Sequence, residues 1–97
     1  MLRPDVVKQL KARMRISHDS EDEYLDSLIT ASFAYLKRRC GDFSIDDIDE
    51  NYVGKELVLE RAKYTYEGNL EYFDENYQMM IHALSFDLGV EANEETL

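Results

Sequence analysis

Ninety-seven residues with no Pro/Gly/Ser-rich divider describe one domain, small enough to bury only roughly 60–70% of the surface its unfolded chain exposes. A net charge of -10 beside a hydrophobic content of 44% excludes an acidic disordered chain, which lacks material for a core, and a general nucleic-acid binder, which needs basic side chains to displace counterions from phosphate. One cysteine forms no intrachain disulfide or thiolate zinc cluster, and with no apolar run of ~18 residues and no signal-peptide pattern a cytosolic protein is expected.

Pro4 suits the first turn of a helix, where its missing N–H costs nothing, and Val6, Val7, Leu10 and Met14 recur at helical spacing. A short amphipathic helix over 4–13 is predicted. Arg3, Lys8, Lys11, Arg13 and Arg15 make this end basic against Asp5 alone, while acids dominate from Asp19 onward. Such an asymmetry marks differently charged faces of an assembly unit, so Lys8, Lys11, Arg13 and Arg15 are candidates for contacts between subunits or with DNA.

The segment ISHDSEDEY interrupts the pattern, and Ser20 with Glu23 has the spacing of a capping box. The helix predicted to follow carries Leu25, Leu28, Ile29, Ser32, Phe33 and Leu36 on one stripe. Its charges suit the helix dipole: Glu21, Asp22 and Glu23 lie at the positive start, and Lys37, Arg38 and Arg39 at the negative finish. Gly41 is placed for a left-handed terminus, and Cys40 reads as a small closing residue rather than a reactive thiol. About nineteen residues at ~1.5 Å each make a rod of roughly 28 Å.

Residues 41–54 form a turn-rich acidic connection with Phe43, Ile45 and Ile48 as apolar tethers, and a helical turn fits over 44–48. Asp42, Ser44 and Asp46 alternate as calcium-loop ligands do, but Asp47 stands where the sharp turn needs glycine and Val53 where a bidentate Glu is required. A solvated acidic loop is the better reading. From Tyr52, Val53, Leu57, Val58, Ala62, Thr65 and Tyr66 share a face as far as Gly68, in what should be the best-buried helix.

Beyond Asn69, Asp74 or Asn76 is placed to cap a fourth helix running to Leu88. Met80, Ile81, Leu84 and Leu88 face one way; Tyr77, Met79 and Phe86 point partly elsewhere. Residues 91–97 are expected to be disordered in the free protein. No β-alternation of any length appears, so the fold class is all-α, a small bundle of about four helices.

Paired carboxylates occur in HDSEDEY and FDEN, but nothing apolar brackets them to separate their pKa values for acid–base work. There is no phosphate-binding glycine loop, nucleophile elbow or zinc helix, and His18 and His82 belong to no spaced constellation. Catalytic residues, cofactors and metal ligands are therefore expected to be none. Aromatic and methionine residues exceed what one core stripe holds, and Tyr, Phe and Met favour interfaces. Tyr72, Phe73, Tyr77, Met79, Met80, Phe86 and Leu88 are the candidate partner-interface residues.

Two blocks carry a family resemblance. VVKQLKARMRISHDSEDEYLDSLITASFAYLKRRCG places a short helix, an R-I turn and an acidic stretch before a long L-x-x-L-I helix. LVLERAKYTYEGNLEYFDENYQMMIHALSFDLGVE runs from an alanine-and-tyrosine helix through N-L-E-Y-F to L-S-F-D-L-G. Together they resemble the head-tail connector (adaptor, head completion) proteins of tailed phages, most of all the branch from siphoviruses of Gram-positive hosts.

The resemblance implies a protomer, able to stay monomeric when free, of a ring expected to be twelve-fold. The ring would dock below the portal protein after DNA packaging and receive the next connector or stopper protein. It would form in the host cytoplasm, stay at the virion head–tail interface and pass double-stranded DNA without sequence-specific binding, with no membrane partner. Asp46, Asp47, Asp49 and Glu50 are candidate lumen acids, and the segment from Met79 to Leu97 the candidate portal-docking region. The alternative from a different class is an acidic regulatory or DNA-mimic protein that binds a basic nucleic-acid-handling partner.

Overall fold

The periodicities resolve, in a computed structural model describing residues 4–45 and 52–89, into α1 (Pro4–Met14), α2 (Asp22–Cys40), α3 (Tyr52–Tyr66), a 3-10 turn (Leu70–Tyr72), α4 (Phe73–Asn76) and α5 (Gln78–Asp87). No strand occurs among the described residues. The fold is the expected all-α bundle, with the fourth helix in pieces.

α2 and α3 form the central pair, and α1 and α5 each pack on both of them. Val6, Val7 and Leu10 enter the core from α1, Leu25, Leu28, Ile29, Leu36 and Cys40 from α2, and Ile81 and Leu84 from α5. α3 is covered on more than one side: Leu57, Val58 and Leu59 are consecutive and all buried, with Ala62 one turn on. Enclosure between three helices abolishes a narrow stripe, and Val53, expected on the inner face, is exposed. Each fully buried Leu or Ile contributes about 1.5–3 kcal/mol.

Helix ends depart from the predicted chemistry in instructive ways. Ser20 caps nothing; its hydroxyl pairs with His18 Nδ1 at 2.9 Å, and α2 starts after Glu21 without a side-chain cap. Nearby Asp19 accepts from Lys11 Nζ at 2.6 Å, which also donates to Asp22 at 2.8 Å, so this turn is committed to holding α1. Gly41 has φ 112 and ψ 177, positive but extended rather than left-handed helical. The left-handed terminus belongs instead to Arg15 at φ 61: its N–H reaches Ala12 O and that of Ile16 reaches Lys11 O, the paired bonds of a Schellman end. Gly68, φ 80, closes α3 through the same pair, with Asn69 bonding to Tyr64 O.

Asp74 and Asn76, expected to cap a fourth helix, face other helices. Asp74 Oδ2 accepts from Tyr35 Oη at 2.6 Å and pairs with Arg39 at 3.3 Å, while Asn76 Nδ2 donates to Tyr64 Oη. Tyr77 breaks the helix in two at φ -116 and ψ 18. Its ring stacks on Phe73 with centroids 5.1 Å apart, and its hydroxyl donates to Glu60 Oε1 at 2.9 Å. These long-range partners fix a bend that local sequence does not encode.

Phe43 and Ile45 are buried as predicted, tying the end of α2 back to the bundle; Ile48 lies outside the described residues. Phe43 meets Phe33 edge to face at 5.2 Å and rests against Gly54, where a Cβ would come within 2.5 Å of its ring. Only glycine permits that approach. Between α2 and α3, Arg61 donates to the buried Ser32 hydroxyl at 3.2 Å and lies 4.1 Å from the Tyr35 ring centroid. Burial lowers its pKa, and the hydroxyl and aromatic face replace part of the lost hydration.

Candidate interaction surfaces

α5 is apolar on two sides. Ile81 and Leu84 are buried with Met80 and Leu88 packed against the core, the inward stripe the spacing predicts. The opposite face presents Met79, His82, Ala83 and Phe86 to solvent, again at i, i+3, i+4 and i+7. Met79 is 85% and Phe86 71% exposed, and Tyr72, half exposed, lies just before α4. A polar exterior would suffice for a helix complete in the monomer, and an exposed apolar stripe is of the kind found at protein–protein contacts.

The candidate partner set divides under this geometry. Met79, Phe86 and Tyr72 are exposed; Met80, Leu88 and Tyr77 are partly withdrawn into the core. Phe73 is corrected: at 1% exposure it is a core residue, ringed by Tyr64 at 5.7 Å and Tyr77 at 5.1 Å. Its apolar character is spent inside the bundle, where sequence alone does not distinguish it from Phe86.

Two of the four candidate basic residues hold the fold together. Arg13 Nη1 lies 2.6 Å from carboxylate oxygens of both Glu56 and Glu60, and Nη2 donates a second bond to Glu56 at 3.2 Å, clamping α1 to α3. The hydrogen bond to Glu56, ahead of that to Glu60, raises the Arg13 pKa. Lys11 is engaged by Asp19 and Asp22, and those bonds, Asp19 first, raise its pKa. Lys8 and Arg15 remain exposed. The candidate lumen acids Asp46, Asp47, Asp49 and Glu50, and the tail 91–97, lie outside the described residues.

Sequence reading missed a concavity. A cleft of about 330 Å³ opens between α1 and the start of α2, lined by Pro4, Val7, Lys8, Lys11, Asp19 and Asp22. Its α1 members fall at i, i+3, i+4 and i+7, a signal present in the sequence but hidden by the two lysines, whose stems are apolar. Neither this cleft nor another described surface gathers three His, Cys, Asp or Glu side chains able to hold a metal ion. Cys40 is buried, with its thiol 3.7 Å from Ile81 O. Among the described residues no helix is long and apolar enough to cross a membrane.

A bundle whose last helix has an outward apolar stripe is suited to assembly, and comparison with known proteins points the same way. A family model described as phage gp6-like head-tail connector protein matches residues 4–89, from the first residue of α1 to the glycine after α5. No curated protein and no solved structure matches at the same stringency. The match covers every described helix, and the chain belongs to the phage gp6-like head-tail connector family.

Proposed function

We propose that this protein is the adaptor protomer that joins the portal to the next connector or stopper protein once DNA is packaged. Copies assemble in the host cytoplasm into a ring, twelve-fold by the family resemblance, that stays at the head–tail interface of the virion. The carrying observation is the family match across the whole helical bundle. The outward stripe of α5 supports it, since an exposed apolar stripe suits contact with another protein.

Docking to the portal is assigned to the end of the candidate docking region, the residues after Gly89. The acidic excess of the chain suits passage of double-stranded DNA, because like charge keeps the polymer from adhering to a conduit wall. Asp46, Asp47, Asp49 and Glu50 are the residues proposed to face it.

Negative-stain microscopy of the protein mixed with its phage's portal tests the reading. An added annular layer is expected; portals left bare, or particles complete and infectious without the protein, would overturn it. Truncation after Gly89 should remove portal binding while leaving helicity intact.

A further inference from the structure

We propose that the outer face of α5 and the α1/α2 cleft are the two halves of one contact between neighbouring copies, with Phe86 of one protomer seated in the cleft of the next. The inference rests on the connector reading and names the partner of the α5 face: a second copy of this chain, not the portal.

Shape comes first. Phe86 stands 71% exposed on α5, and the cleft of about 330 Å³ has ample room for an aromatic ring, which a cavity of ~150 Å³ already accommodates. Val7 and the Lys11 stem give it an apolar wall, and the Lys11 bonds to Asp19 and Asp22 hold its rim.

Charge agrees. Residues 70–89 carry Glu71, Asp74, Glu75 and Asp87 with no lysine or arginine, whereas α1 carries Lys8 beside Lys11 and Arg13, the last two already paired with acids of this chain. Asp87, next to Phe86, and Lys8, on the cleft, are both exposed and form no ion pair among the described residues. Seating the ring brings that free carboxylate to that free ammonium.

Topology completes the case. α1 and α5 each pack on α2 and α3, so the two patches are different parts of one molecule, and joining them head to tail propagates until rotation closes a ring. Apposing α5 with α5 would bring two acidic segments free of lysine and arginine together and stop at a dimer. The chain beyond Gly89 then remains for the portal.

The test is a cysteine pair in the full chain, Lys8→Cys with Asp87→Cys, oxidised mildly both in a portal-bound layer and in concentrated solution; buried Cys40 stays out of the chemistry. A ladder of multimers beyond the dimer is expected on non-reducing gels from the double variant, and none beyond the dimer from either single one. Phe86→Asp in that background should keep its helicity and lower the ladder yield at least ~10-fold, as loss of an interface anchor does. Single charge reversals Lys8→Glu and Asp87→Lys should weaken assembly, and their combination restore it.

A layer that forms on the portal without a ladder, or Asp87→Cys linked to the portal instead of to a copy, overturns the inference and spares the connector reading. A ladder in solution with no layer on the portal does the reverse. Absence of a ladder in both settings also overturns the inference.

Discussion

α2 and α5 follow the same rule inward and opposite rules outward. Both bury residues at i, i+3 and i+4, Leu25, Leu28 and Ile29 in one and Ile81, Leu84 and Ser85 in the other. Outside, α2 turns Ser27, Thr30, Ala34 and Arg38 to water, while α5 turns Met79, Ala83 and Phe86. α2 exposes one large apolar side chain, Tyr24 near its start, whereas α5 exposes Met79 and Phe86 on one continuous face. The difference sets the outer face of α5 apart as the surface on which the assembly reading is tested.

The comparison is sharpest where both helices meet the core. Leu36→Ala in α2 and Ile81→Ala in α5, each almost wholly buried, should both cost about 2–5 kcal/mol in denaturant unfolding. A loss below about 1 kcal/mol for Ile81→Ala alone would show α5 to be loosely docked and break the parallel.

Next in size is the clamp that brings α1 to α3. Arg13→Ala removes a partly buried cation from Glu56 and Glu60 and should cost about 1–3 kcal/mol, read as a lower Tm. Unchanged stability would return Arg13 to the surface set.

Tyr77 adds pH dependence at the α4–α5 bend. Burial first, then the hydrogen bond to Glu60, push its phenol pKa up. The folded state thus favours the protonated phenol, so the contribution is whole below the unfolded value of ~10 and is lost as pH rises through the folded pKa. Tyr77→Phe should lower stability at pH 7 by about 1 kcal/mol and flatten its decline above pH ~10. An unchanged alkaline slope would remove Tyr77 as its source.

The smallest effect is on the outer stripe. Phe86→Ser should change stability by no more than about 0.5 kcal/mol while abolishing assembly, and a large loss of Tm would place Phe86 in the core.

These contrasts separate what the sequence made legible from what it hid. α2 was readable because its stripe and terminal charges are local, repeating signals. The second stripe on α5 was readable as surplus, since Met79 and Phe86 had no place beside Ile81 and Leu84. What escaped depends on partners far along the chain: Arg13 finds carboxylates 43 and 47 residues away, and Tyr77 one 17 residues back. Phe73 was grouped with surface residues because only the surrounding rings of Tyr64 and Tyr77 mark it as interior. Ser20 had the right spacing to cap α2, but a turn organised around Lys11 decides what that spacing does.

The bare backbone at Gly54 has a mechanical consequence. Since Phe43 rests against it, meets Phe33 in an edge-to-face pair, and Phe33 in turn sits 5.2 Å beneath the Lys37 ammonium, a single methyl group added at 54 would act as a wedge. Its push would run ring to ring to the solvent-facing end of the longest helix, so the chain's least bulky residue sets the seating of its central rod.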